Sequence, residues 1–566
     1  MPASSTSPAR PPAAASVVAL LVVALAACAP SAPATVVAGT RVVVAWPGEL
    51  TSLNALADPT AGNLDIAAAT RDDFGAVVDG EFVADPGFGT VSIVGDDPFT
   101  VRYDLAEPSW SDGTPLDAAD LLLGWAAATG ILDLDGDPDG GPDAAHAVPT
   151  VDEFARAIEV TFPQPTIGWQ TAVSAQVPAH IVGRLAFGED DAMQAKQSVI
   201  RAIEDDDATA LAAIAEAWHS GFDVGDGTGL SADLLVSSGP YQVGEVSGGI
   251  DGQSVTLVPN AGYRGAVTAQ VAQIDLVPSG DDPIAAIGDT LDVAQVAPTA
   301  ENRAPIHELE RLDSTAEATN DGSVWTVRLR PAGVFAGTAA RAAFLRMAPV
   351  NDLIDRGAGE WASAYAKTTS VVAVPGSRAY DIVAEDSGFT AALGTPADDA
   401  ALDREAAGIP AGTAVCVLYD RGSAFAAGAF AALRDAAAEA GWAVADCGSD
   451  DLGAAVAAGG WDALIDRTPV PLTPARLAEQ WGSAAGLAPP DADRDDLIAQ
   501  LAQTVDVYQA RELLGEIEAS IVRAAVVRPL AMNPVVTVVD RGVTGVAARN
   551  SPASLTWGVA HWAVVP

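Results

Sequence analysis

Between residues 415 and 446 the chain reads as an apolar run, Val415-Cys416-Val417-Leu418-Tyr419, then an alanine-rich stretch from Ala424 to Ala440, then a second short run, Trp442-Ala443-Val444-Ala445-Asp446. The outer runs have strand length and the middle one has helix length. A strand–helix–strand unit of this size forces its strands parallel, because the helix carries the chain back before the second strand begins. Parallel strands need cover on both faces, so the unit demands a layered α/β arrangement. Strands alternate with helices elsewhere too: Val42 to Ala45, a hairpin from Gly89 to Leu105 turning at Gly95-Asp96-Asp97-Pro98, and a helix from Leu121 through Trp125. The fold class expected is α/β.

At 566 residues the chain is too long for one compact domain. Hydrophobic residues make up 49%, enough for extensive cores, which excludes a disordered protein. Acidic residues outnumber Lys and Arg 75 to 29, for a formal charge of −46. A surface this negative repels phosphate backbones, so nucleic acid is excluded as a partner. The acidic excess reads as a solvating surface or as a preference for cationic ligands. Lys196 and Lys367 are the only lysines, a bias that carries no mechanism.

The N-terminus points to a compartment. Val17 to Ala27 form an unbroken apolar run after a polar segment carrying Arg10. The run is too short to span a bilayer, which takes about 20 residues, and suits a secretory signal. It ends in Leu25-Ala26-Ala27-Cys28, which resembles the lipobox of bacterial lipoproteins. Residues 1–27 are therefore expected to be removed, Cys28 to carry lipid, and 28–40 to form a tether. The expected location is the extracytoplasmic face of the cell membrane, with the lipid as anchor. Outside the cytoplasm Cys416 and Cys447 can pair, since the strand–helix–strand unit sets their strands side by side; two buried, inert thiols are the alternative.

Catalytic signatures are missing. The five histidines form no His-Glu-x-x-His helix, and there is neither a Gly-x-Ser-x-Gly elbow nor a Gly-x-x-x-x-Gly-Lys-Ser/Thr loop. The chain is expected not to be an enzyme and to need no cofactor. Asp135-Gly136-Asp137-Pro138-Asp139-Gly140, with Asp143, matches the start of a calcium loop. Its twelfth position is His146, a poor calcium ligand, so no metal is assigned.

Six landmarks in order carry a family resemblance. They are Trp110-Ser111-Asp112-Gly113-Thr114-Pro115-Leu116 before a helix, Ser238-Gly239-Pro240-Tyr241, Pro259-Asn260-Ala261-Gly262-Tyr263-Arg264, Leu291-Asp292-Val293-Ala294, Ala340-Arg341-Ala342-Ala343-Phe344, and Tyr508 to Arg523 followed by Pro529-Leu530 and Val543 to Val546. From about residue 40 onward the chain resembles the extracytoplasmic solute-binding proteins of peptide- and nickel-type ABC importers. The resemblance implies two lobes joined by a hinge, closing on ligand in the cleft. It places lobe I at 41–299 with an inserted subdomain at about 75–170, lobe II at 300–528, and a return to lobe I over 529–566. It implies a monomer that captures a small solute, a peptide in the first instance, and delivers it to a permease. Peptide binders of the family carry a Trp and an Asp after a strand of lobe II. Here Trp461-Asp462-Ala463-Leu464-Ile465 is followed instead by Asp466-Arg467-Thr468-Pro469, so Asp466 and Arg467 are the nearest candidates to hold the two ends of a zwitterion. This departure also admits a degenerate lipoprotein that keeps the fold but acts as a sensor or surface adaptor.

Overall fold

The structure is a computed structural model that describes residues 33–78, 80–133, 147–152, 156–225, 230–249, 252–394, 399–547 and 554–565. Cys28 and the calcium-like loop at 135–143 lie outside the described residues.

The strands used below are β1 (Val37–Trp46), the hairpin β2 (Gly75–Val78) and β3 (Glu81–Ala84), β4 (Gly89–Asp96), β5 (Phe99–Leu105), β6 (Thr150–Asp152), β7 (Ala157–Thr161), β8 (Tyr241–Gly249), β9 (Gly252–Pro259), β10 (Val271–Pro278), β11 (Val293–Val296), β12 (Thr315–Leu329), β13 (Thr413–Tyr419), β14 (Trp442–Asp446), β15 (Ala463–Pro469) and β16 (Val527–Val539). Ten of them form one sheet in the order β14-β13-β15-β12-β16-β11-β1-β10-β9-β8, while β4-β5-β7-β6 form a separate antiparallel sheet. The strand–helix–strand unit read from the sequence is present. Helix Ala424–Glu439 joins β13 to β14, and the two strands pair in parallel.

Apolar burial divides the molecule. One cluster gathers residues from Val42 to Val293 and from Val539 to Trp562. Two further clusters, drawn mostly from the second half of the chain, cover opposite faces of the other end of the sheet. Trp325 and Val327 enter one of these clusters and Val324 the other, as alternation along a strand requires. Between the two ends run β12 and β16, paired antiparallel over almost their whole lengths. Their register breaks twice. Asn320 faces Pro534 and Val324 faces Met532, so four steps along β12 match two along β16; then Trp325 faces Ala531 and Thr326 faces Pro529. The first break falls where Asn320-Asp321-Gly322 interrupts the strand, and Gly322 takes φ 78°, a left-handed conformation that favours glycine. Pro534 is tolerated inside a central strand because it sits at this irregularity.

The landmark segment at 110–120 has a structural explanation. Asp117 caps helix Ala118–Ala128 in a capping box with Asp120. The Asp120 carboxylate also accepts from Trp110 Nε1 at 3.3 Å, the Ala179 amide at 2.8 Å and Lys196 Nζ at 2.7 Å. Lys196 further reaches the Pro115 carbonyl at 2.6 Å and Asp117 at 3.1 Å. A buried ammonium and a buried carboxylate are each costly alone, so this network is retained as a unit. Asp112 sits beside His180, Nε2 to Oδ2 3.0 Å, which helps hold its carboxyl down at about 2 although burial pushes the other way. Asp292 accepts from the Val43 amide at 2.7 Å and ties β1 to the start of β11. Buried Arg341 donates to the Ala524 carbonyl at the end of helix Val507–Ala524 and to Phe335, Ala336 and Thr338, fastening two helix ends together.

Cys447 follows β14 directly, and its Sγ is bonded to that of Cys416, with Cα atoms 5.6 Å apart. For a separation of 31 residues the bond constrains the unfolded chain by about 3–4 kcal/mol. A mild reductant is therefore expected to lower the unfolding midpoint of the wild type and to leave a Cys416→Ala/Cys447→Ala protein unaffected; calorimetry with and without reductant measures this.

Glu518 on helix Val507–Ala524 is fully buried and accepts from the Ser370 hydroxyl at 2.7 Å and the Val371 and Val372 amides at 3.1 Å each. Burial pushes its carboxyl from 4.5 up to about 7 despite these donors. A raised folded-state pKa means that the folded protein binds the proton more tightly. The stability it contributes is complete below about 4.5 and is lost as pH rises through about 7. Glu518→Gln is expected to remove this dependence and to gain about 3 kcal/mol relative to wild type at pH 8, read from denaturant unfolding across pH 5–8.

Candidate ligand-binding site

β13 and β15 are parallel neighbours, so their carboxyl ends emerge together, at Tyr419 and at Arg467 to Pro469. Open α/β sheets bind ligands outside such ends. Here that edge lies against the break in β12. Val470 donates its amide to the Gly322 carbonyl at 2.9 Å, and Trp325 pairs with Arg467 in the β12–β15 ladder. The site candidate is thus built where lobe II meets the crossing strands.

The Arg467 side chain is 51% exposed. Its guanidinium lies 5.7 Å from the centre of the Trp325 ring and reaches Asp321 at 3.5 Å. Asp321 is held from elsewhere: Asn533 Nδ2 donates to it at 2.7 Å and the Ser323 amide at 2.9 Å. Asn533 in turn accepts from Trp325 Nε1 at 2.9 Å. Phe425, near the start of helix Ala424–Glu439, packs on Trp325 at 4.4 Å and stacks on Tyr365 at 4.8 Å. The Tyr365 hydroxyl is pushed up to about 12, mostly by burial, with Asp321 adding to the shift and Arg467 opposing it. Both charges therefore lie close to it. Four chain segments converge on a half-exposed cation resting on an aromatic shelf, beside a carboxylate already engaged by its own neighbours. Chemically this arrangement can take a carboxylate on the exposed side of Arg467, while Trp325, Tyr365 and Phe425 are themselves buried and serve to position the guanidinium.

Asp466 lies elsewhere. Adjacent positions on a ladder point to opposite faces, and the Asp466 carboxylate faces Arg328, 3.9 Å away, rather than Trp325. Burial raises its carboxyl above the usual range; the Arg467 amide and the Arg328 charge oppose the shift, and Asp420 adds to it. Arg328 is itself pushed down by burial, and its Nε has no partner among the described residues. Asp466 and Arg467 are thus not brought to one point, and a single small zwitterion gripped at both ends by this pair is not the arrangement seen.

Trp325, Asp321, Tyr365, Phe425 and Asn533 were not singled out from the sequence. A signal for two of them was there, since Asn320-Asp321-Gly322 inside the strand-like run 315–329 and Asn533-Pro534 inside 527–539 are turn dipeptides where none belongs. Among the described residues, no group of three or more His, Cys, Asp or Glu is placed to hold a metal ion, and no helix is long and apolar enough to cross a membrane. A cavity of about 360 Å³ lies between the end of helix Ala118–Ala128 and β7, beside Trp125, Thr129, Val160 and Phe162, and no site is assigned there.

No family model matches the chain. An uncharacterized lipoprotein of Mycobacterium leprae is 27% identical over 288 residues, which cover 50% of this chain and 48% of the relative; the match thus spans about half the length of that protein. Among solved structures, the periplasmic EDTA-binding protein EppA superposes with a TM-score of 0.74 at 18% identity, over 94% of this chain and 98% of that one. The ABC transporter substrate-binding protein CtaP of Listeria monocytogenes gives a TM-score of 0.70 at 15% identity, over 93% of this chain and 100% of that one. The α/β, two-lobed fold expected from the six landmarks is therefore the one observed, and over more than nine-tenths of its length the chain has the fold of the solute-binding proteins of ABC transporters.

Proposed function

We propose that the chain is a lipid-anchored substrate-binding protein that captures a small solute outside the membrane and presents it to an ABC transporter permease. The observation that carries this reading is the placement of Arg467 and Trp325 at the carboxyl edge of lobe II, against the strands that cross between lobes. A ligand held there touches the element that must bend for the lobes to close. Only a ligand that contacts the closed form differently from the open one can shift that equilibrium. The solute class that fits is a peptide or a similar small molecule with a carboxylate end, with Arg467 as its partner and Asp466 assigned no contact with that carboxylate. The lobe limits proposed are 41–299 and 300–528, with 529–566 returning to lobe I. Lipid attachment at Cys28 is supported by the lipoprotein names of the sequence relatives. The protein is proposed to act as a monomer and to carry out no chemistry on its cargo.

Native mass spectrometry of the protein as purified is expected to show a small retained ligand carrying at least one carboxylate. Arg467→Ala is expected to weaken its binding about 10- to 100-fold, the effect of losing a charge-assisted hydrogen bond, while stability changes by less than about 0.5 kcal/mol. Calorimetric titration against unfolding midpoints separates the two effects, and unchanged affinity would remove Arg467 from the site. Cys28→Ser is expected to leave the protein unprocessed or to release it into the medium; a variant processed and membrane-bound like wild type would refute the anchor.

A further inference from the structure

The lobes touch at a second place, away from the crossing strands. Glu81, the first residue of β3, accepts from Arg378 Nε at 3.0 Å and from Arg511 Nη2. β3 belongs with lobe I, since its Phe82 packs against the cluster built from Val42 to Val293. Arg511 lies on helix Val507–Ala524, whose Leu513, Ile517 and Ile521 enter a core of the other lobe. Arg378 lies just before Tyr380, which packs on that same core. The Arg511 side chain is only 14% exposed and also lies over the Tyr508 ring at 5.3 Å, so this guanidinium has a second contact besides Glu81.

Apolar and backbone contacts accompany the ion pairs. The Ile167 amide donates to the Ala502 carbonyl at 3.1 Å. Ile167, from the first half of the chain, packs against the core around Leu513, and Val505, from the second half, packs against the core around Val42. Each lobe lends an aliphatic side chain to the other. In a two-lobed molecule that moves about crossing strands, points off the axis must separate as the lobes part. A contact made by a hairpin, a helix and loops outside β12 and β16 is such a point. It also opposes a general force: the chain carries −46, so its two acidic halves repel, whereas here one carboxylate meets two guanidinium groups.

We propose that Glu81, clasped by Arg378 and Arg511 and backed by the Ile167 and Val505 exchange, is a latch that holds the lobes together before any ligand arrives. Its consequence for ligand exchange rests on the solute-binding reading; the latch itself does not. Breaking the polar part frees the lobes to open, so the population shifts toward the open form, and a bound solute leaves sooner.

Small-angle X-ray scattering of the ligand-free protein tests this directly. The wild type is expected to be compact at low salt, where the repulsion between the acidic halves is least screened. Glu81→Gln, a change of nearly equal shape, is expected to be expanded under the same conditions, and Arg511→Gln to behave likewise. Unfolding midpoints close to wild type show that the variants are folded. If Arg511→Gln does not fold, Glu81→Gln decides alone. A wild type already open at low salt, or a radius of gyration that ignores both substitutions, overturns the latch. Where a retained ligand is available, its dissociation from Glu81→Gln is expected to be roughly 5- to 30-fold faster. If the radius responds but no solute is ever found, the latch stands and the solute-binding reading falls.

Discussion

The antiparallel pairing of β12 with β16 is the constraint on which the rest of the molecule depends. These two strands make one continuous sheet out of elements that otherwise belong to separate hydrophobic clusters. A ladder of backbone hydrogen bonds resists sliding but bends at a bulge, where pairing is already interrupted. Asn320-Asp321-Gly322 and Pro534 supply one such interruption, and the shift between Trp325 and Thr326, opposite Ala531 and Pro529, supplies a second. The lobe closure proposed above costs least there, where little pairing has to be broken.

The first break organises the candidate site. Asp321 lies in it, and Asn533 lies opposite on β16. Trp325 follows within a turn's length and carries Arg467 on its face. A solute bound by Arg467, as proposed, is therefore close to the bending point. The Glu81 contact acts on the same motion from off the axis. A bound solute and a latch of this kind add their effects on one equilibrium, whichever forms first.

Charge inside the protein follows a separate logic from charge on its surface. With few cations available, two of the buried ones are used as multiple donors. Lys196 satisfies two carboxylates and a carbonyl, and Arg341 binds three carbonyls and a hydroxyl. Each fastens segments distant in sequence. Glu518 is the opposite case, a buried carboxylate with donors but no partner cation among its hydrogen bonds, and it is the one pushed to about 7.

What the sequence determined by itself was local. Apolar run lengths set β13, helix Ala424–Glu439 and β14, and parallel pairing of the strands followed from the length of the crossover. Cap chemistry at Asp117 and Asp120 set the helix after the Trp110 segment. The resemblance of six ordered landmarks then carried the two-lobed fold. Period-two alternation was also legible and already put Asp466 and Arg467 on opposite faces, although proximity in sequence suggested a joint grip. The composition of the site was decided only by the tertiary structure. Asp321, Trp325, Tyr365, Phe425, Arg467 and Asn533 come from segments as much as 212 residues apart, and no local pattern encodes which strands of a ten-stranded sheet become neighbours. The contact of Glu81 with Arg511 spans 430 positions for the same reason. Side chains of this kind meet because two independently built cores are joined at one angle, and that angle is a property of the assembled sheet and its bulge rather than of any stretch of sequence.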